Sequence, residues 1–418
     1  MNIKEMVVEK SKKAKLASKI VCKLSTKEKN NCLVKIAEEI EKSKQLLTNA
    51  NDIDVKNARD EGLARAFIDR LLLNDQRIKN ISDSLLEVAK LPEPVGEILK
   101  MQRRPNGMLI GKMRVPIGVI CIIYESRPNV TTEAASLCLK SGNACILRGG
   151  KEAINTNVAL TNVMKKTMEE LSLPADIIQI IESVEREAVM ELIKQKDYID
   201  MIIPRGSEEF IRMIRDNSYI PVIGHGSGNC HVYVDKDANP DMAERIAYNA
   251  KVQRPGVCNA METLLVHKDI AEKFLPVIIS KYKEAGVEIR GCDKTKAIVP
   301  DIKSATEEDW FKEYLDLILA VKVVDSIEEA IEHISYYGSN HTDAIVTADY
   351  DNAQKFLNEV DSSSVFVNAS TRLSDGFEYG LGAEIGISTN KLHARGPMGL
   401  SDLTTTKYIV YGSGQIRE

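Results

Sequence analysis

The chain has 418 residues, enough for two or three domains whose cores need no disulfide support. Hydrophobic residues make up 44% and charged residues 28%, both ordinary for a soluble globular protein. The net charge is -5 and the basic residues are spread along the chain, which excludes a nucleic-acid binder with its clustered positive face.

The first hundred residues read as helices. Ser25 and Glu28 have capping-box spacing, and Leu33, Ile36, Ala37 and Ile40 then recur on one face. Gly62 and Pro92-Glu93-Pro94 punctuate this region. The lysine-rich start has no apolar run of signal-peptide length, and nothing later approaches the length needed to cross a bilayer, so a cytoplasmic chain is expected. The segment 108–115 reads as a hairpin or edge strand. The β-branched run 117–124 reads as a strand covered on both faces. Helix 132–140, strand 144–148, helix 153–171, strand 177–181, helix 185–194 and strand 199–203 follow. The alternation resumes with a helix to about 252, strand 263–267, helix 270–285, strand 319–324, helix 327–336, strand 344–347, helix 352–360 and strand 364–367. Strands alternating with helices imply an α/β fold of two doubly wound parallel sheets in series, meeting near 224–235. A last strand, 404–411, lacks a partner in its own unit. It is expected to pair with the segment around Met108 or with another subunit.

The eight cysteines include no C-x-x-C pair, as befits a reducing compartment. Cys230-His231 is the one adjacent Cys–His pair, and neighbours on a strand point to opposite faces, so no metal is expected. A cysteine by itself reads as a small buried hydrophobe. Cys258 differs, because Gln253-Arg254-Pro255-Gly256-Val257-Cys258 places it after a Pro-Gly turn between a helix and a strand. A thiol is the best side-chain nucleophile near neutral pH, and Arg254 close by reads either as a charge that favours its ionised form or as a solvated loop charge. Arg148-Gly149-Gly150-Lys151 after one strand and Gly206-Ser207 after another could hold an anionic nucleotide group at a helix start, although neither is a G-x-G-x-x-G fingerprint. His225 lies in the glycine-rich loop 224–229 and reads either as an acid/base group or as a hydrogen-bonding residue.

Four stretches carry a resemblance to a known family: Pro116–Val119 with Glu125–Val130, Ser141–Gly150, Gly228–Asp235 and Gln253–Ala260, joined by 378–386 and 393–397. Together they resemble the aldehyde dehydrogenase superfamily over nearly the whole chain, and within it the branch that reduces an acyl phosphate. The resemblance implies a cofactor domain (1–100 and 118–229), a catalytic domain (230–397) and a small β oligomerisation element (101–117 and 398–418). It implies NADPH/NADP+ at Arg148, Gly149, Gly150, Lys151, Gly206, Ser207 and Glu313, a homo-oligomer, and proline biosynthesis as the setting. There L-glutamyl 5-phosphate would be reduced to L-glutamate 5-semialdehyde through a thioacyl group on Cys258, with a glutamate 5-kinase as the compatible supplier. The oxyanion would be met by the Cys258 backbone N–H with Ser126 or Asn259. The substrate's anions would be met by Arg127 and Arg372, and its ammonium by Glu384. Hydrolytic members carry a glutamate base where this chain has Gly224 or His225. That departure disfavours the alternative, a hydrolytic NAD(P)-dependent aldehyde dehydrogenase.

Overall fold

A computed structural model describes residues 2–417. It separates the chain into one unit of Met1–Gly224, Leu381–Gly386 and Met398–Glu418 and a second of His225–Gly380 and Ile387–Pro397. No helix of the described residues is long and apolar enough to cross a membrane.

The first unit opens with the helices Ile3–Val21, Thr26–Lys42, Lys44–Asp60, Arg65–Leu71 and Asp75–Lys90. Ser25 and Glu28 form the expected capping box, and Leu33, Ile36, Ala37 and Ile40 are buried. Lys29, almost fully buried, donates to Glu93 at 2.7 Å and to the Lys140 carbonyl at 3.0 Å, which ties these helices to Pro128–Lys140. The parallel sheet runs Ile178–Ile180, Ala144–Arg148, Val119–Ile123, Met201–Pro204. All five residues of each central strand are buried, which is why their sequences are apolar without alternation. Asn143, inside one of the motif stretches, accepts from Gly118 N–H at 2.8 Å and donates to the Leu403 carbonyl at 2.7 Å. It therefore joins the sheet to the approach of the last strand.

The segment Leu109–Pro116 is the middle strand of an antiparallel three-stranded sheet, between Ile98–Arg103 and Thr404–Tyr411, rather than an edge. Thr404–Tyr411 thus finds its partner within its own unit. Ile98–Arg103 was not legible in the sequence, because all six residues are exposed and no buried face imposes a period.

The second unit contains a seven-stranded parallel sheet in the order Lys303–Ser304, Glu288–Gly291, Ile318–Val324, Met261–His267, Cys230–Val234, Thr342–Val346, Ser364–Val367. Helices Pro240–Val252 and Lys268–Glu284 bury Ala243, Ala247, Phe274 and Ile278 against one face. Ile327–Tyr337 and Tyr350–Glu359 bury Ile331, Ile334 and Phe356 against the other. The short strands 288–291 and 303–304 escape periodicity because too few residues show a pattern.

Candidate active site

Neighbouring parallel strands start side by side, so the residues that precede them converge. In the second unit Cys230–Val234 lies between Met261–His267 and Thr342–Val346, with Cys230 opposite Met261 and His231 opposite Asp343. Three segments therefore meet at the amino-terminal edge of this sheet: the loop ending in Cys258, the glycine-rich loop with His225, and His341. The Cys258 sulfur and a ring nitrogen of each histidine all lie within 4.8 Å of one another. Cys258 and His225 are half-buried and His341 is buried. The resemblance left the approach to the cysteine open between Gly224 and His225. The structure brings an imidazole there and adds a second one that no sequence motif marked.

Both rings are oriented by their Nδ1 atoms. His225 Nδ1 faces the Ile387 carbonyl at 2.8 Å. His341 Nδ1 faces Thr342 Oγ1 at 2.9 Å, while the Thr342 hydroxyl donates onward to Ser374 at 3.1 Å. Thr342 thus accepts from His341 Nδ1–H, which leaves the lone pair on Nε2. Burial holds His341 well below the usual histidine range, so its ring is neutral. Cys230, beneath them, donates its thiol to the Cys258 carbonyl at 3.1 Å. Burial pushes that thiol well above its ordinary value, which keeps it protonated and inert.

Backbone contact fixes the Cys258 loop. A Cβ on Gly228 would overlap the Cys258 carbonyl oxygen and lie 2.6 Å from its Cα, so only glycine fits. Gly228 N–H donates to Glu313 at 2.9 Å, and Asn229 donates to the Trp310 and Tyr337 carbonyls at 2.7 and 2.8 Å. Glu313, expected in the cofactor groove, thus anchors the glycine-rich loop. The two flanks of the cysteine loop are joined by Lys251 and Glu262, both fully buried and 2.6 Å apart, and Glu262 also accepts from Leu315 N–H at 3.1 Å. Burial pushes Glu262 up to about 7 and Lys251 down, and each charge answers the other. Losing one partner of such a pair costs roughly 3–5 kcal/mol.

Asn259 is buried and committed at both ends of its amide. Nδ2 donates to the Ser374 carbonyl at 2.9 Å and Oδ1 accepts from Arg372. Arg372 also donates to Gln253 at 2.9 Å. Burial holds the Arg372 guanidinium below its ordinary value, as does the neighbouring Arg254, while Asp375 and Cys258 act in the opposite sense. Arg372 is thus a braced cation within electrostatic reach of Cys258.

The segment that supports the glycine-rich loop is held by Asp309. Burial pushes its carboxyl up, but the Thr306 backbone N–H, the Arg290 guanidinium and the Tyr314 and Thr306 hydroxyls outweigh it and hold the group at about 2. The unfolded value is about 3.9. The folded chain binds this proton less tightly, so the stability it contributes is present above pH about 4 and lost as pH falls from about 4 through about 2. Asp309→Asn is expected to flatten that part of the acid-unfolding curve, read as denaturation midpoint against pH. A variant curve as steep as the parent's would place the acid sensitivity elsewhere.

The other candidates lie in the first unit. Arg148 ends a central strand; its Nη2 donates to the Val184 carbonyl at 3.0 Å, while its buried Nε has no hydrogen-bond partner among the described residues. Gly149 and Gly150 follow. A Cβ on them would overlap Asn157 Nδ2 and Ser126 Oγ respectively, so a larger residue would have to displace those side chains. Lys151 is exposed and 3.0 Å from Glu61. Gly206 precedes Ser207, whose hydroxyl caps Glu208–Asn217 through Phe210 N–H. Ser126 donates to Glu152. Arg127 is half-buried at the start of Pro128–Lys140, and Glu384 is half-buried.

Comparison with known proteins adds lineage to this geometry. The model of the aldehyde dehydrogenase family matches residues 3–316. The gamma-glutamyl phosphate reductase of Thermodesulfovibrio yellowstonii is 57% identical over 418 residues, covering 100% of both chains. That of Dictyoglomus thermophilum is 58% identical over 414 residues, covering 99% of this chain and 100% of the relative. The crystal structure of gamma-glutamyl phosphate reductase from Thermotoga maritima superposes with a TM-score of 0.97 at 48% identity, covering 99% of this chain and 100% of that one.

Proposed function

The chain belongs to the aldehyde dehydrogenase family, and from this we propose that it reduces L-glutamyl 5-phosphate with NADPH to L-glutamate 5-semialdehyde and phosphate, a step of proline biosynthesis. Its relatives' shared name supports the substrate. The observation that carries the chemistry is Cys258 itself: half-buried, on a loop fixed by backbone contacts, with two imidazoles brought to its sulfur.

In this reading residues 1–100 and 118–229 hold the cofactor and 230–397 carry the nucleophile. The Cys258 thiolate attacks the acyl carbon, phosphate leaves with the bonding pair, and a thioacyl group remains on the sulfur. NADPH, when bound, supplies the hydride that reduces this thioester. Collapse of the resulting thiohemiacetal returns the thiolate and releases the aldehyde. Arg372 supplies positive charge near the sulfur, and Arg127 and Arg372 meet the anions of the substrate while Glu384 meets its ammonium. The Asn259 side chain is spent on Arg372 and the Ser126 hydroxyl is directed at Glu152. The oxyanion therefore falls to the Cys258 backbone N–H, and Asn259 acts by positioning Arg372.

In the first unit, the cation of Arg148, with its orphaned buried Nε, and the backbone that follows it suit a phosphate of the cofactor, with Lys151, Gly149, Gly150, Gly206 and Ser207 around that end of the sheet. Glu313 serves by holding the loop beside Cys258. The exposed Ile98, Leu99, Met101, Tyr408, Val410 and Tyr411 support 101–117 and 398–418 as a homo-oligomer contact.

Running the reaction backwards tests the proposal. L-Glutamate 5-semialdehyde and NADP+ are given to the protein with and without inorganic phosphate, and NADPH formation is followed. Phosphate-dependent reduction is expected. Turnover that ignores phosphate would make water the acyl acceptor and the chain a hydrolytic dehydrogenase.

A further inference from the structure

We propose that Cys258, His225 and His341 form a site for a borderline-soft divalent cation, zinc above all, whose binding reversibly silences the nucleophile. One thiolate and two imidazoles are a donor set that zinc takes in tetrahedral sites, with the fourth position left for water. The three donors already lie within 4.8 Å of one another, so small side-chain movements bring them to a common ion. A second observation is independent of that clustering. His341 Nε2 is buried with no hydrogen-bond partner among the described residues, while its Nδ1 is held by Thr342. A buried nitrogen with an unused lone pair carries a cost that a ligand relieves. His225 is oriented in the same manner, its Nδ1 on the Ile387 carbonyl, and such second contacts are what fix ligand histidines.

Binding replaces the thiol proton with the metal: the Cys258 S–H bond breaks, a sulfur–metal bond forms, and one proton goes to solvent. No redox partner is needed. Metal binding rests on the geometry alone, and only the loss of turnover rests on the function proposed above.

Cobalt(II) is the probe, because a thiolate–cobalt bond has a charge-transfer band in the near ultraviolet. Titrating the reduced full-length chain is expected to give that band, saturating at one cobalt per chain and displaced by zinc. It should vanish in Cys258→Ala and need about tenfold or more cobalt in His341→Gln and in His225→Gln. Zinc should also slow alkylation of Cys258 in the parent chain, and a chelator should restore it. Absence of the band in folded protein, its survival in Cys258→Ala, or parent-like affinity in either histidine variant would overturn the site. Because the band and the alkylation rate are read without substrate, they stand or fall separately from the reductase activity.

Discussion

Cys258→Ala is expected to lower turnover by on the order of 10⁴-fold or more while the chain stays folded. The first half follows from the proposed covalent route, in which loss of the sulfur leaves no thioacyl group to form and closes the two-step path. The second half follows from which atoms hold the loop. Gly228 packs on the Cys258 backbone, and the Cys230 thiol donates to the Cys258 carbonyl at 3.1 Å, so neither contact uses the Cys258 side chain. The residue is also only half-buried, so trimming it leaves no sealed cavity. Steady-state rates and thermal midpoints, measured on the same preparation, separate the two halves. Near-normal turnover would place the nucleophile elsewhere. Cys230 could not replace it, because burial keeps that thiol protonated.

Gly228→Ala carries the second large effect, from a residue with no reactive group. The new methyl would overlap the Cys258 carbonyl oxygen and sit 2.6 Å from the carbonyl carbon, and both atoms belong to backbone that cannot rotate away. One of the two loops must move. A displacement of about 1 Å at a reacting atom costs about 100-fold in rate, so turnover is expected to fall by about that factor. The thermal midpoint should fall as well, since overpacking costs typically about 1–3 kcal/mol. Comparing kcat with the rate of Cys258 alkylation locates the damage: both should drop if the sulfur has moved. Parent-like kcat would show that the glycine-rich loop yields without disturbing the cysteine.

Part of the candidate site was legible in the sequence, and the side chains gathered around Cys258 were not. Cys258 announced itself through the Pro-Gly turn before it and the strand after it. Arg148 did so as the basic end of an apolar strand run. Local rules see neighbours along the chain, so they found the adjacent Cys230-His231 pair and passed over His341, which carries no motif. The family resemblance, not local rules, gave the oxyanion to the Cys258 backbone N–H with Ser126 or Asn259 and placed Glu313 in the cofactor groove. In the folded chain Asn259 braces Arg372, and Glu313 receives Gly228 N–H.

Local pattern was sufficient for the α/β class, the helical beginning and the order of the long strands along the chain. Buried five-residue runs such as Val119–Ile123 and amphipathic helices such as Thr26–Lys42 bury apolar surface only in those forms. Adjacency in space came from the packing of the whole chain. The order Met261–His267, Cys230–Val234, Thr342–Val346 places three strand starts together and so delivers His225, Cys258 and His341 to one edge. Strand order depends on how helices cover the two faces of a sheet, a property that no local spacing encodes.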